Sequence, residues 1–139
     1  MEIPLSAIEH TIRRGVILHS DTFDWIDHGK FFVIAGVSRD HVAGFFFINS
    51  NIHPSIFSKQ EQLDLQYPLK KADYSFLTHD SFLCASDIIK RLRHDIALGI
   101  SSGSTAVIGE MKPSHICELL DMVRSSRLFS AKDKRDFFY

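Results

Sequence analysis

The chain has 139 residues, the ordinary size of one domain, and 45% of them are hydrophobic, which is enough for a buried core. Sixteen basic residues face seventeen acidic ones, so the net charge of −1 excludes a general electrostatic attraction to nucleic acid or anionic membrane. Any such contact therefore needs a local patch of charge.

Cysteine usage and the N-terminus limit the compartment and the chemistry. Cys84 and Cys117 form no CxxC pair, and no histidine has zinc-ligand spacing with them, so we expect two free, buried thiols, no metal and no cofactor. The charged N-terminus is unlike a signal peptide, and no stretch approaches the roughly 18 apolar residues of a membrane helix. The sequence predicts a cytoplasmic protein without membrane contact.

The first half of the chain predicts one short helix followed by strands. Residues 4–14 predict the helix, and Val16–His19 predict the first strand. The strongest signal is a hairpin, in which residues 31–37 and 41–48 are near-continuous apolar runs joined by the turn residues 38–40. Because neither run alternates cleanly between apolar and polar residues, we expect both faces of these strands to be covered.

The second half of the chain predicts shorter strands and a longer helix. Short strands are expected at 63–65, 81–85 and 106–109, with an irregular stretch at 67–74 and a helical turn at 91–98. A helix is expected over 112–125, because four apolar residues share one face at helical spacing: Ile116, Leu119, Leu120 and Val123. A second short helix is expected over 130–138.

These elements predict a single α+β domain, mainly β, over residues 1–139. Five to seven strands over 15–110 are expected to form a small SH3-like β-barrel with a packed C-terminal helix at 112–125 and a short helical tail at 126–139. Gly36 and Gly44 lie inside predicted strands, where glycine indicates a sharp bend or a close approach of two backbones.

Five segments, read in order, resemble the PemK/MazF family of toxin endoribonucleases. Gly15-Val16-Ile17 is similar to the opening G-x-I strand of that family, and Gly29-Lys30-Phe31-Phe32-Val33-Ile34 to its G-x-R-P-hydrophobic strand. Residues 46–50 are similar to the strand that ends in Thr-Ser. Residues 80–88 are similar to the D-S-hydrophobic strand and D-Q-I turn, and residues 107–113 to the approach to the last helix. Lys30 stands where the family usually has arginine, and Asn49 where it has threonine.

The resemblance implies a toxin of a toxin–antitoxin system that cleaves single-stranded RNA without a metal. In that reaction the 2′-hydroxyl of the RNA attacks the adjacent phosphate, and the protein supplies a base, an acid and a cation. The resemblance also implies a homodimer with an RNA groove across two subunits, and a cognate antitoxin protein as partner.

The candidate catalytic residues are Lys30, Asn49, Ser50 and His53. Lys30 is expected to hold the scissile phosphate, Asn49 and Ser50 to position it, and His53 to transfer a proton, since imidazole titrates near neutral pH. Antiparallel pairing brings the end of one hairpin strand beside the start of the other, so we expect the four residues to converge. The alternative is an exposed turn lysine and a loop whose side chains satisfy their own backbone.

The candidate RNA-binding residues are Ser81, Arg91 and Arg93. The densest basic patch, residues 90–94, suits an RNA backbone, and Ser81 is a candidate phosphate contact at the start of a strand. The alternative for the patch is a solvated face. His79, Asp80 and Ser81 do not predict a hydrolase triad, because neighbouring side chains of a strand point to opposite faces.

Two functions other than RNA cleavage stay open at this point. An SH3-like barrel that lacks the arginine and threonine of the family suits a non-catalytic module that binds nucleic acid or a protein. A partner-interaction protein of a mobile element, which uses its aromatic strands as the contact surface, is the other alternative.

Overall fold

The computed structural model describes residues 3–20, 30–48, 60–86 and 88–139. The helices among them are α1 (Leu5–Thr11), α2 (Gln60–Leu63), α3 (Arg93–Ser102), α4 (Pro113–Ser125) and α5 (Ala131–Asp133), which a π-helical turn continues over Lys134–Phe138. The strands are β1 (Val16–Ser20), β2 (Lys30–Val37), β3 (His41–Ile48), β4 (Gln66–Leu69), β5 (Ser81–Cys84), β6 (Ile89–Leu92) and β7 (Thr105–Glu110). A 3-10 turn lies at Lys71–Asp73.

The seven strands form one antiparallel sheet in the order β4-β5-β3-β2-β1-β7, with β6 also paired to β3. Strand β3 is central, because one of its edges pairs with β2 and the other with β6 and then β5. Phe47 and Ile48 of β3 pair with β5, and His41 to Gly44 pair with β6. The predicted α+β class is confirmed, with the antiparallel hairpin of β2 and β3 at its centre.

Helices cover both faces of the central strands, as the continuous apolar runs predict. Val33 of β2 faces a core shared with α4 and the C-terminal residues, which we call the α4-side core. Its neighbours Phe32 and Ile34 face a core shared with α1 and α3, which we call the α3-side core. All three side chains are fully buried. Because successive side chains of a strand point to opposite faces, β2 contributes to two separate cores.

The sequence predictions are wrong between residues 60 and 92 in three places. Residues 63–65, predicted as a strand, end α2 and form a turn. Strand β4 begins at Gln66 and takes in the first three residues of the stretch 67–74 that was predicted as irregular. Pro68 argued against a strand there, but β4 is the last strand of the sheet order, where proline is tolerated. Strand β6 was not predicted, because its Lys90 and Arg91 interrupt the run of apolar residues from which a strand is predicted.

The predicted C-terminal helices are present, and the tail is part of the fold. Helix α4 buries Leu119, Leu120 and Val123 on the predicted face. The hydroxyl of Ser130 accepts a hydrogen bond from the Asp133 amide and caps the tail helix. Phe137 and Phe138 are buried in the α4-side core. No helix in the described part of the chain is long and apolar enough to cross a membrane.

Candidate functional site

One predicted catalytic residue lies in the described structure, and the other three lie outside it. Lys30 begins β2, whereas Asn49, Ser50 and His53 fall outside the described residues. Lys30 pairs with Ser20, and Phe32 pairs with Phe46, so β2 starts at the same end of the sheet at which β3 ends. The convergence of the four side chains stays a prediction.

Another segment leaves the sheet at this same end. Ile48 of β3 pairs with Phe82, and the neighbouring Ser81 pairs with Leu69, the last residue of β4. The chain after Leu69 forms the 3-10 turn and then presents aromatic side chains. The start of β2, the end of β3 and residues 70–76 are therefore grouped at one end of the sheet.

Two of the predicted RNA-binding residues have partners inside the protein. Ser81 is buried, and its hydroxyl donates to the carbonyl of His79 at 3.2 Å. Arg91 is partly exposed and donates from one guanidinium nitrogen to the carbonyl of Lys90 at 2.9 Å. The neighbouring Lys90 forms an ion pair with Asp133 at 2.7 Å, so the predicted basic patch is partly neutralised by the tail.

Arg93 joins three backbone segments. Its guanidinium donates to the carbonyls of Glu9 at 3.3 Å, Ile12 at 2.6 Å and Ser38 at 2.8 Å. Glu9 lies in the last turn of α1, where its carbonyl also accepts a hydrogen bond from the Ile12 amide, and Ile12 directly follows the helix. Ser38 lies in the turn between β2 and β3. The side chain therefore holds α1 against the hairpin.

We expect Arg93→Ala to lower the free energy of unfolding by about 2–3 kcal/mol, because partly buried carbonyls lose a charged donor. The matched variant Arg91→Ala is expected to change it by less than about 1 kcal/mol. Urea unfolding followed by circular dichroism measures both. If Arg93→Ala keeps full stability and instead weakens RNA binding, the interpretation of Arg93 as a structural tie is wrong.

A row of aromatic rings runs from the start of β2 to the first turn of α4. Successive ring centroids are 5.0, 5.1, 6.0, 5.7 and 6.2 Å apart. We call this set the ring row, and its members in order are His19, Phe31, Phe76, Tyr74, His115 and Tyr67. The two tyrosines are buried, and the other four rings are partly exposed. Neighbouring rings are tilted by 45–63° relative to one another, and Phe31 and Phe76 also pack against the α4-side core. Their exposed parts are aromatic surface on which bases of single-stranded nucleic acid can stack.

Polar groups converge where the ring row reaches α4. The hydroxyl of Tyr74 accepts a hydrogen bond from the Lys112 amide at 3.0 Å and lies 2.7 Å from Nδ1 of His115. The hydroxyl of Tyr67 donates to the carboxylate of Glu118. The Lys112 ammonium lies 2.9 Å from a carboxylate oxygen of Asp73. We call these residues the α4 cluster: Tyr67, Asp73, Tyr74, Lys112, His115 and Glu118.

The surroundings fix the protonation of the two tyrosines. Burial, the hydrogen bond to Glu118 and its charge raise the pKa of Tyr67 well above its ordinary value. Burial likewise raises the pKa of Tyr74. Both phenols therefore keep their protons through neutral pH, and Tyr67 is the donor toward Glu118. The hydrogen bond from Lys112 lowers the pKa of Asp73, which keeps this exposed pair charged.

Sequence reasoning missed the α4 cluster. His115 and Glu118 are three residues apart in a predicted helix, and this spacing places them side by side at the border of its apolar face. That spacing was the available signal. Tyr67 and Tyr74 fall in the stretch predicted as irregular, and no local pattern placed them beside α4.

Both cysteines are free, as expected, but neither is fully buried. Cys84 is partly buried and Cys117 is exposed on α4, so the expectation of two buried thiols is wrong. The described residues include no group of three or more His, Cys, Asp or Glu side chains that could hold a metal ion.

Comparisons with known protein families, with curated proteins and with solved structures give no match.

Proposed function

We propose that the protein is a metal-independent endoribonuclease that cleaves single-stranded RNA, of the kind found in toxin–antitoxin systems. The observation that carries the proposal is the ring row. It begins at His19 and Phe31, beside the start of β2, and ends at an imidazole next to a carboxylate on α4. Bases stacked on the ring row hold the phosphates of the strand beside groups that transfer protons.

The reaction needs few chemical groups. The 2′-oxygen of the RNA bonds to the adjacent phosphorus while the bond to the 5′-oxygen breaks, which leaves a 2′,3′-cyclic phosphate and a 5′-hydroxyl. A base takes the proton of the 2′-hydroxyl, an acid gives a proton to the departing 5′-oxygen, and a cation stabilises the negative charge that develops on the phosphate oxygens. In this proposal Lys30 binds a phosphate and Asn49 and Ser50 position it, while His53 is one of two candidate imidazoles for proton transfer.

The proposal includes the finer fold and the assembly that the family resemblance implies. An SH3-like barrel is supported by the order of short antiparallel strands and by the two short strands, β6 and β5, that pair in turn with one edge of β3. A homodimer, a cognate antitoxin and a cytoplasmic location complete it. Sedimentation at micromolar concentration tests the dimer, and a monomer mass contradicts it.

We expect the purified protein to cleave single-stranded RNA in excess chelator and to leave 2′,3′-cyclic phosphate ends or their hydrolysis products. Lys30→Ala is expected to weaken cleavage and to lower the salt dependence of RNA binding, because one phosphate contact is lost. Lys30→Arg should keep or raise the rate, since arginine binds phosphate with two parallel donors. RNA that stays intact after prolonged incubation with folded protein contradicts the proposal.

The second candidate function is a non-catalytic module that binds nucleic acid or a protein. The ring row also favours the nucleic-acid form of this candidate, because base stacking requires no cleavage. The same experiment separates the two functions. Binding of RNA with a strong dependence on salt, but without cleavage, selects the non-catalytic module.

A further inference from the structure

The α4 cluster contains an imidazole and a carboxylate, each held by a tyrosine from outside the helix. His115 and Glu118 are one turn apart on α4, so their β-carbons are neighbours. Tyr74 contacts the imidazole, and Tyr67 donates to the carboxylate. Both tyrosines are buried and therefore fixed, while His115 is partly exposed and Glu118 is exposed. Fixed partners behind reachable groups are the arrangement that acid–base catalysis requires.

We propose that Glu118 and His115 are the catalytic base and acid of RNA cleavage, an inference that rests on the proposed function. Glu118 takes the proton of the 2′-hydroxyl as the 2′-oxygen bonds to phosphorus. The protonated imidazole of His115 gives its Nε2 proton to the 5′-oxygen as the bond from phosphorus to that oxygen breaks. The pair ends as a carboxylic acid and a neutral imidazole, and exchange with water restores both.

The contact to Tyr74 suits an imidazole that changes its protonation state. Nδ1 carries a proton in the imidazolium and also in the neutral ring that is left when Nε2 gives up its proton, so the Tyr74 hydroxyl accepts a hydrogen bond from Nδ1 in both states. The ring therefore keeps its orientation before and after proton transfer. Tyr74 is itself fixed by burial and by the Lys112 amide. No hydrogen bond to Nε2 of His115 comes from the described residues, so this nitrogen is left for the substrate.

The carboxylate of Glu118 and the ammonium of Lys112 are the other two groups that the proposed reaction uses. The hydrogen bond from Tyr67 reaches one carboxylate oxygen, Oε2, and the other oxygen is available to accept a proton. Lys112 brings a cation to the same turn of α4 as His115. Its partner Asp73 is a partly exposed carboxylate, and an ion pair that is open to solvent contributes little, so an RNA phosphate can compete for the ammonium.

This inference moves the chemistry away from His53 and changes the role of Lys30. The ring row separates Phe31, next to Lys30, from His115 by three ring-to-ring steps of 5.1, 6.0 and 5.7 Å. Lys30 then binds a neighbouring phosphate of the same strand rather than the scissile one. The strand lies along the ring row with Phe76 between the two ends.

Single-turnover cleavage of a defined RNA oligonucleotide in chelator tests the inference. We expect His115→Ala and Glu118→Gln each to lower the rate about 10²- to 10⁴-fold. His10→Ala on α1 and Asp121→Asn on α4 are matched variants at exposed positions, and both should cleave at the parent rate. If His115→Ala does not fold, His115→Asn retains an amide that reaches Tyr74 but cannot transfer a proton.

The pH profile separates catalysis from packing. His115→Ala should remove the fall in rate on the alkaline side, and Glu118→Gln the fall on the acid side. The charged and titratable groups that face His115 are Tyr67 and Asp73 from the β4 side, Tyr74, and Lys112 and Glu118 from α4. Tyr74→Phe keeps the ring but loses the hydroxyl that orients His115. It should lower the cleavage rate about 10- to 100-fold, while the rate still falls on both the acid and the alkaline side.

The outcomes distinguish this inference from the proposed function. Full activity in His115→Ala, or in Glu118→Gln, overturns the inference and leaves RNA cleavage standing. A loss in His53→Ala beside full activity in His115→Ala returns proton transfer to His53. A folded parent protein that leaves the RNA intact overturns both the proposed function and this pair.

Discussion

We expect Gly44→Ala to lower the free energy of unfolding by about 3 kcal/mol or more, which is a large share of the stability of an ordinary domain. A β-carbon on Gly44 would overlap the backbone carbonyl oxygen of Val33 and lie 2.6 Å from Cζ of Phe32. The carbonyl belongs to β2, which pairs with β3 at this point, so it cannot move without breaking the pairing of the two central strands. The midpoint of urea unfolding, followed by circular dichroism, measures the loss.

Gly109→Ala is the matched control for this variant. Gly109 lies in β7 of the same sheet, and no atom lies within 4 Å of a β-carbon added there. Its effect should stay within about 1 kcal/mol, and the lower freedom of the unfolded chain favours the alanine. Equal urea midpoints for Gly44→Ala and Gly109→Ala would show that β2 and β3 do not approach as closely as described.

The sequence predicted the parts of the fold that depend on local patterns. The hairpin of β2 and β3, helix α4 and the close backbone approach at Gly44 are all found. Each has a signal within a few residues: two apolar runs with a turn, one apolar face at helical spacing, and glycine inside a strand. Strand β6 had no such signal, because it is defined by its pairing with the far edge of β3.

The candidate site was predicted less well, and the reason is distance along the chain. Arg93 was a candidate RNA ligand because it lies among basic residues. Its guanidinium nonetheless binds carbonyls that are 55 to 84 residues away. The contact of Tyr74 with His115 spans 41 residues and that of Tyr67 with Glu118 spans 51. Composition and periodicity describe neighbours in sequence, so they cannot predict such pairs.

If the protein cleaves RNA as proposed, the lysine that stands where the family resemblance implies an arginine suits separate roles along the ring row, with binding at one end and proton transfer at the other. An ammonium is a point charge, whereas a guanidinium grips two phosphate oxygens and stabilises charge that develops on them. Lys30 is therefore better suited to binding an RNA phosphate than to stabilising a transition state. Proton transfer by His115 and Glu118 would then supply the rate that a weaker cation does not.

The C-terminal tail is the second place where we expect a single substitution to lower the free energy of unfolding by a large amount. Phe138 is fully buried, stacks on Phe45 of β3 at 6.2 Å between ring centroids, and meets Phe129 edge-on at 5.8 Å. Arg14 donates to the Phe137 carbonyl at 2.9 Å, and Arg124 donates to the Phe138 carbonyl at 2.6 Å. The ring of Phe138 therefore packs on β3, and the backbone of the tail is held by Arg14, which precedes β1, and by Arg124 of α4.

We expect Phe138→Ala to lower the free energy of unfolding by about 3–5 kcal/mol, because a large ring is lost from a closed core and leaves a cavity. Tyr139→Ala is the matched control, since this ring is 75% exposed and contacts the Arg124 guanidinium at 5.1 Å, a contact worth about 1 kcal/mol or less. Urea unfolding of both variants gives the comparison. If Phe138→Ala unfolds at the same urea concentration as Tyr139→Ala, the tail is an appendage of the sheet rather than a part of the α4-side core. A large loss for Phe138→Ala alone means that the helix carrying His115 and Glu118 is supported from behind by the last residues of the chain.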